Sequence, residues 1–376
     1  MSTERVTSAI RDCIASRSAV RISGRGGWLD AGRPVRAENT LSLDGDTGVV
    51  SYVPGDLTLT VRAGTTLAEI TEATAEHDQW LPLDPYGSPD GTIGATIATA
   101  SAGPLASSFG LPRDLLLGLE FVNGCGETVR AGGKVVKNVA GFDLSRLLAG
   151  SWGTLGVITE VTLRLYARPQ VDRTFIVPLA GTATESSGFL RAFLSAPFSA
   201  YSFELLNSFA AQALELGTTP VCLVRFGGST AAVDAQIRTL SQLARAEETD
   251  VSKWQHLRAL ERGSGCVIRV SGLPAQFRSV AGTILADSHP RFFTYINPLR
   301  GMLRLVERPS QNDASTSQSE LGLGTEPPPS GSVVYETLPA EVWSEVSPSV
   351  TADPLSRGIK KAYDPFGILN PGILGD

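Results

Sequence analysis

Two glycine-punctuated segments, Gly24-Arg25-Gly26-Gly27 and Gly91-Thr92-Ile93-Gly94-Ala95-Thr96-Ile97-Ala98-Thr99, constrain this chain more than any other feature. A stretch with few Cβ atoms lets backbone amides approach a ligand closely. The two stretches lie about seventy residues apart, so the fold must bring them together if they serve one ligand. Concavities rich in amide donors favour anions, and the pair points to one extended ligand that carries phosphate. Singly, each has a plain alternative. The first could be an ordinary turn, and the second the start of a helix capped by Thr92.

The pattern around these segments is mixed helix and strand. Residues 3 to 16 read as a helix, and Ala19 to Ser23 as a short strand running into the first glycine segment. Gly48 to Tyr52 and Leu57 to Ala63 are rich in β-branched residues, the second with strict alternation. Thr66-Leu67-Ala68-Glu69 is a capping box, predicting a helix to about Glu76 with Leu67, Ile70 and Ala73 or Thr74 inward. Leu115 to Val122, a turn at Asn123-Gly124 and Glu127 to Arg130 read as a hairpin. Asn138 to Pro169 is a Gly-rich helix and strand unit, and Arg168-Pro169 reads as a boundary.

A length of 376 residues exceeds what one core usually supports, so two domains are expected. Beyond residue 169, strands at about 173–178, 201–206, 220–226, 266–271 and 292–305 alternate with helices at 187–195, 230–246 and 274–287, a second α+β unit. Residues 308–331 are rich in Ser, Pro, Gly, Thr and Gln and are expected to be a disordered insertion. In the tail, a helix at 356–363 runs into Asp364-Pro365-Phe366-Gly367-Ile368-Leu369-Asn370-Pro371-Gly372, where two prolines and two glycines fix a compact turn. It either closes the core or places Asn370 against a ligand.

Composition removes several classes. A net charge of -6 without a basic stripe argues against nucleic acid. No apolar run approaches a membrane span, and charges from Glu4 to Arg17 interrupt any signal-peptide core, so a cytoplasmic chain is expected. Cys13, Cys125, Cys222 and Cys266 are far apart and read as reduced, mostly buried thiols. His77, His256 and His289 are equally scattered, and no metal site of recognisable spacing is present.

Together the first glycine loop, the run 48–67, the segment Pro82 to Gly94, the unit Asn138 to Ile158 and the tail Asp364 to Gly372 resemble the FAD-binding domain of the vanillyl-alcohol oxidase, or PCMH, type. More narrowly, the chain resembles the FAD-binding E-type subunits of bacterial glycolate oxidases. The likeness covers the first 169 residues and the last twenty or so; in the middle it extends only to general layout. The resemblance implies an α+β protein: an FAD-binding domain over 1–169 made of two α/β subdomains split near 47, a smaller α+β second domain with an antiparallel sheet over 170–307, the insertion at 308–331, and a C-terminal segment, 332–376, returning to the flavin site.

By similarity, Gly24, Arg25, Gly26 and Gly27 form the first pyrophosphate loop. Pro85, Gly91, Thr92, Ile93 and Gly94 form the second, with Gly94 opening a short helix whose dipole favours phosphate. Ala98, Thr99 and Gly103 occupy a stretch where family members usually carry Gly or Ser-Gly. Gly110 and Arg113 are expected near the ribityl or ring side, Gly153, Gly156, Val157 and Ile158 at the adenine end, and Asn370 near the isoalloxazine ring.

Departures from the family shape the functional expectation. Some relatives attach FAD through a histidine or cysteine near these loops, but none lies between Ile14 and Glu76 or from Ser101 to Gly110, so FAD is expected to be non-covalent. The D-type catalytic relatives carry a histidine cluster in the second domain, and only His256 and His289 lie there. Oxidising a 2-hydroxy acid also requires a base, a hydride acceptor and cations for the carboxylate. Arg225, Arg269, Arg300 and Arg304 are candidate cations that nothing in the sequence converges, and no catalytic residue is nominated.

The expected role is an FAD-binding subunit passing electrons between a catalytic flavoprotein (D-like) subunit and an iron–sulfur (F-like) subunit, with a 2-hydroxy acid such as glycolate or lactate as substrate of the complex. Such partners would hold it at the inner membrane face. The alternatives are a free-standing FAD-dependent 2-hydroxy-acid or alcohol dehydrogenase and a structural subunit with a vestigial flavin pocket.

Overall fold

The computed structural model describes residues 3–87, 90–133, 143–179, 183–286, 289–309, 331–346 and 353–375. They form two compact units. Unit 1 comprises 1–102, 109–168 and 346–376, and unit 2 comprises 103–108 and 169–345. The segment 332–376 therefore divides, with 332–345 in unit 2 and the rest in unit 1. Most of the stretch read as an insertion, 310–330, lies outside the described residues, as does 138–142 of the Gly-rich unit.

In unit 1, helix α1 (Thr3–Ser16) buries Val6, Ile10 and Cys13, an i, i+4, i+7 stripe that turns one face to the core. Strand β1 (Val20–Ser23) pairs in parallel with β2 (Asn39–Ser42). The C-terminal segment lies along the other edge of β1: the Val20 amide donates to the Ile368 carbonyl at 2.8 Å and the Asn370 amide to the Val20 carbonyl at 3.1 Å. The remaining strands are β3 (Val49–Val53), β4 (Thr58–Arg62), β5 (Gln79–Trp80), β6 (Leu116–Val122), β7 (Thr128–Gly132), β8 (Val157–Arg164) and β9 (Tyr166–Ala167). Five of them form an antiparallel sheet in the order β3-β4-β8-β6-β7, and β5 pairs with β9.

The alternation in β4 reads as a strand with one wet face, yet Thr58, Leu59, Thr60 and Val61 are all buried. The threonines satisfy themselves within the sheet, the Thr60 hydroxyl meeting that of Thr162 on β8 at 3.0 Å. Helix α2 (Leu67–Ala75) begins with the expected capping box. The Glu69 amide donates to Thr66 Oγ1 at 3.1 Å, and the Thr66 amide donates to the Glu69 carboxylate at 2.7 Å.

The β6–β7 hairpin forms, but its connection is longer than the Asn123-Gly124 signal suggests. The Asn123 amide donates to the Glu127 carbonyl at 3.0 Å, and Asn123 Oδ1 accepts from the amides of Cys125 and Glu127. Gly126, at φ 73°, is the left-handed residue. Gly124 is needed for a different reason: a Cβ there would fall 2.5 Å from the Asp364 carboxylate.

Unit 2 is built on one eight-stranded sheet. Its strands are β10 (Val171–Pro178), β11 (Ser202–Leu206), β12 (Val221–Gly228), β13 (Glu247–Thr249), β14 (Val267–Ser271), β15 (Phe292–Asn297), β16 (Met302–Glu307) and β17 (Ser332–Thr337), in the order β13-β10-β12-β11-β15-β16-β14-β17 with every pair antiparallel. Helices Ala183–Ser195, Thr230–Leu243 and Pro274–Ala286 contribute Phe193, Val233, Leu240 and Phe277 to a core with Phe175, Phe203 and Phe226. Cys13, Cys222 and Cys266 are buried and all four cysteines are free.

Candidate functional site

Unit 1 encloses a cavity of about 570 Å³, a size typical of small-molecule sites. Its walls come from six parts of the chain: residues 21–29, Leu43, Ala63, residues 90–99, the turn and strand from Trp152 to Ile158, and Asn370 with Ile373. Thirteen of the expected positions line it: Gly24, Arg25, Gly26, Gly27, Gly91, Thr92, Gly94, Ala98, Thr99, Gly153, Gly156, Ile158 and Asn370. The two glycine segments thus share one cavity.

The glycines mark where backbone meets backbone or side chain at close range. A Cβ on Gly24 would fall 2.3 Å from Thr92 Oγ1, so glycine lets the first loop close on the second. A Cβ on Gly94 would lie 2.7 Å from the Ala63 Cβ and 2.9 Å from its carbonyl oxygen, which packs helix α3 (Ile93–Thr99) onto the end of β4. On Gly156 it would lie 2.4 Å from the Phe121 ring. Gly26, at φ 86°, is required by conformation instead.

The second loop differs from expectation in where its amides point. The Ile93 amide donates to the Thr65 carbonyl at 2.9 Å and the Gly94 amide to the Ala63 carbonyl at 2.8 Å. Both donors are therefore committed to the scaffold rather than offered to an anion. Ile93 is fully buried and lies outside the cavity lining. In the first loop, by contrast, no backbone carbonyl among the described residues accepts from the amides of Arg25, Gly26 or Gly27. That loop presents available donors, as do Gly91 and Thr92, whose amides likewise have no backbone acceptor among the described residues.

Asn370 joins the tail to both walls. Its Oδ1 accepts from the Ile22 amide at 2.7 Å, its Nδ2 donates to the Trp152 carbonyl at 2.7 Å, and it is 3% exposed. Lys360 fixes the same segment: Nζ donates to the carbonyls of Thr154 at 2.9 Å and Leu369 at 3.1 Å, and reaches the buried Asp364 carboxylate at 2.8 Å. The asparagine thus acts as a clamp at the cavity wall.

Arg21, Arg25 and Asp90 are the titratable side chains among the lining residues. The Arg21 guanidinium donates to the Leu29 carbonyl, and Arg25 lies 3.3 Å from Asp44. The amide and hydroxyl of Thr66 hold the Glu69 carboxyl below the usual carboxylate range, with Arg25 adding to the effect. Ile22, Leu29, Leu43, Ala63 and Ile158 supply apolar wall, and Trp28 and Trp152 aromatic wall. No motif announces the two tryptophans; their signal is a large ring beside glycine, at Gly27-Trp28 and Trp152-Gly153.

Six expected positions lie outside the cavity lining: Pro85, Ile93, Gly103, Gly110, Arg113 and Val157. Pro85 and Val157 are buried, Val157 pairing with Val122 in the sheet. Gly110 (φ 88°) precedes a turn in which the Leu111 amide donates to Asp114 at 2.9 Å, and Arg113 is half-exposed beside that carboxylate. Gly103 belongs to unit 2, where its carbonyl accepts from Arg300 at 3.1 Å.

The other candidate cations of unit 2 are held in ion pairs. Arg225 binds Asp172 through two contacts of 2.8 and 2.5 Å, Arg269 meets Glu336 at 2.8 Å, and Arg304 contacts Glu261 at 2.7 Å and Glu336 at 2.6 Å. Glu336 has two guanidinium partners and its carboxyl is held below its usual range despite burial. Glu261, buried and served by the shared Arg304, is pushed up to about 7. Of these two carboxyls, Glu261 is the one that takes a proton first.

The cavity combines uncommitted amides with an apolar and aromatic lining. Residues 1–132 match the family model of an FAD binding domain. The chain carries an FAD-binding domain. It is similar to the glycolate oxidase subunit GlcE of Escherichia coli (strain K12), 39% identical over 165 residues, which cover 43% of this chain and 47% of that protein. It is also similar to the glycolate oxidase subunit GlcD of Bacillus subtilis (strain 168), 31% identical over 176 residues, 46% of this chain and 37% of that protein. Both matches cover less than half of the glycolate oxidase subunit concerned. A D-2-hydroxyglutarate dehydrogenase of Xanthomonas citri pv. viticola is 27% identical over 99% of this chain and 87% of its own length.

Among solved structures, an alkyldihydroxyacetonephosphate synthase superposes with a TM-score of 0.65 at 16% identity, over 98% of this chain and 75% of that one. The fold is therefore of the PCMH type, with the α+β layout and antiparallel sheet that the sequence suggests. FAD fits the cavity of this domain on three counts. The Gly24–Gly27 loop keeps amides available, Arg21 adds positive charge, and the apolar and tryptophan walls suit flat rings. Among the described residues, no helix is long and apolar enough to cross a membrane, and no three His, Cys, Asp or Glu side chains gather as a metal site requires.

Proposed function

We propose that this chain is the FAD-binding subunit of a glycolate oxidase-like complex. It binds FAD non-covalently and takes part in electron transfer from the oxidation of a 2-hydroxy acid such as glycolate or lactate. Its partners are a D-like catalytic flavoprotein and an F-like iron–sulfur subunit, and through them a cytoplasmic chain reaches the inner face of the membrane. Bound FAD supplies an acceptor for a hydride or for electrons.

Non-covalent binding is supported by the cavity lining, where neither His nor Cys appears among the described residues. The observation that carries the accessory role is the pairing of Arg225, Arg269 and Arg304 with carboxylates. A 2-hydroxy acid needs a cation for its carboxylate and a base for its hydroxyl proton; these arginines already serve acidic partners of their own.

The purified chain should be yellow, and glycolate or lactate under anaerobic conditions should leave its flavin oxidised until the D-like and F-like proteins are added. Bleaching of the isolated chain at a turnover rate would overturn the accessory role. It would favour a free-standing dehydrogenase, a reading supported by the full-length match to D-2-hydroxyglutarate dehydrogenase. A colourless protein whose melting temperature ignores added FAD would leave only a structural subunit.

A further inference from the structure

Trp152 occupies a conformation that a large L-residue rarely adopts. Its φ is 54°, and it stands between Gly150 at φ 86° and Gly153 at φ 71°. Glycine at 152 would continue that left-handed turn without strain, whereas a bulky side chain there is an outlier that costs stability. The turn cannot relax locally. The Trp152 amide donates to the Ala98 carbonyl at 2.8 Å, and its carbonyl accepts from Asn370 at 2.7 Å. Such over-determined strain is characteristic of sites where a side chain must be aimed.

Trp152 belongs to the cavity wall. Trp152 and Trp28 both line it, with ring centroids 6.0 Å apart and planes at 89°. A Cβ on Gly32 (φ 76°) would fall 2.8 Å from Ile373 Cγ1 and 3.3 Å from the Trp152 ring, so the Gly32 turn packs closely against both. The ring is thus braced by Trp28 and by the Gly32 turn, and Trp152 lines the cavity. Flat heteroaromatic rings stack on such platforms.

We propose that Trp152, braced by Trp28, is the platform on which one ring system of FAD stacks, and that the Ala98 and Asn370 contacts hold it in its left-handed conformation for that role. The proposal rests on FAD being the ligand of this cavity. Adenine and isoalloxazine are both flat heteroaromatic systems, so the fragments ADP and FMN identify the ring concerned.

The test compares W152N, which tolerates the left-handed backbone and removes the ring, with W152F, which keeps a ring. W152G serves as a second ringless variant. In titrations of FAD-free protein, W152N should bind FAD roughly tenfold more weakly, while its melting temperature without FAD stays within about 2 °C of wild type because strain relief offsets the lost Trp28 contact. W152F should stay within about threefold of wild-type affinity. Loss of binding confined to ADP assigns adenine to the platform, and loss confined to FMN assigns the isoalloxazine; either supports the proposal.

Wild-type affinity for FAD in both W152N and W152G would overturn it, as would a loss in W152F equal to that in W152N. So would a fall in FAD-free melting temperature matching the affinity loss, which would mark Trp152 as packing alone. Failure of the wild-type protein itself to bind FAD would overturn the cofactor assignment as well.

Discussion

Replacing Asn370 by alanine tests whether the tail is a structural part of the cavity. The substitution removes the acceptor of the Ile22 amide and the donor to the Trp152 carbonyl, both at 2.7 Å. Ile22 and Trp152 are half-buried, so each orphaned group is assigned the lower end of the unsatisfied-polar cost, about 1 kcal/mol. Asn370 also sits at φ 45°, where alanine is worse than asparagine by about 1 kcal/mol. The total is roughly 3 kcal/mol, or about 6–12 °C in melting temperature for a unit of this size. N370G escapes the conformational part and should recover about a third of the loss. Urea melts of FAD-free protein give the stability, and hydrogen exchange at Ile22 reports the first bond directly. Unchanged Ile22 protection with a stability loss under about 0.5 kcal/mol would refute the clamp, since even one orphaned amide costs more.

Three further perturbations follow from the same geometry. G24A forces a methyl into Thr92 and should weaken FAD binding about fivefold or more by the roughly 1–3 kcal/mol scale of overpacking; the double variant G24A/T92A should recover part of it in the same titration, and no recovery would count against the contact. K360M removes the charge facing the fully buried Asp364 side chain and should cost about 3 kcal/mol in a urea melt. In unit 2 the Glu261 carboxyl, raised by burial to about 7, holds its proton in the folded state while the unfolded chain has lost it. Stability should therefore fall as pH rises from about 4.5 to 7 and E261Q should flatten that slope; an unchanged slope would refute the assignment.

Local patterns made much of the scaffold legible. The stripe Val6, Ile10 and Cys13 gives α1, and Thr66 with Glu69 gives the start of α2, because both depend on neighbours three or four positions away. Strand β13, Glu247-Glu248-Thr249, has no such signal. It is held at the sheet edge by Arg173, which grips Glu248 at 2.8 and 2.5 Å from another strand. Strand β17 is equally hidden: its residues adjoin the C-terminal segment in sequence, and only the pairing with β14 sets them in unit 2.

The site divides the same way. That the glycine segments matter was readable from composition and order; why each glycine is needed was not, since Gly24 answers to Thr92 and Gly156 to Phe121. The Gly94 amide illustrates the limit. A helix start near a glycine suggests a free donor, and only the tertiary partner, the Ala63 carbonyl, shows that the donor is taken. Asn370 pairs with Ile22 across 348 positions, a separation that no local window spans.

Because residues 346–376 return to unit 1 after all of unit 2 has been made, synthesis itself imposes an order on the cofactor site. A nascent chain that has reached residue 169 already carries both glycine loops, yet the Ile22 amide and the Trp152 carbonyl still lack the residue that ties them together. Domains emerging from the ribosome tend to fold as units, N-terminal first, but this one has to wait. Its cavity wall is completed only when Asn370 arrives.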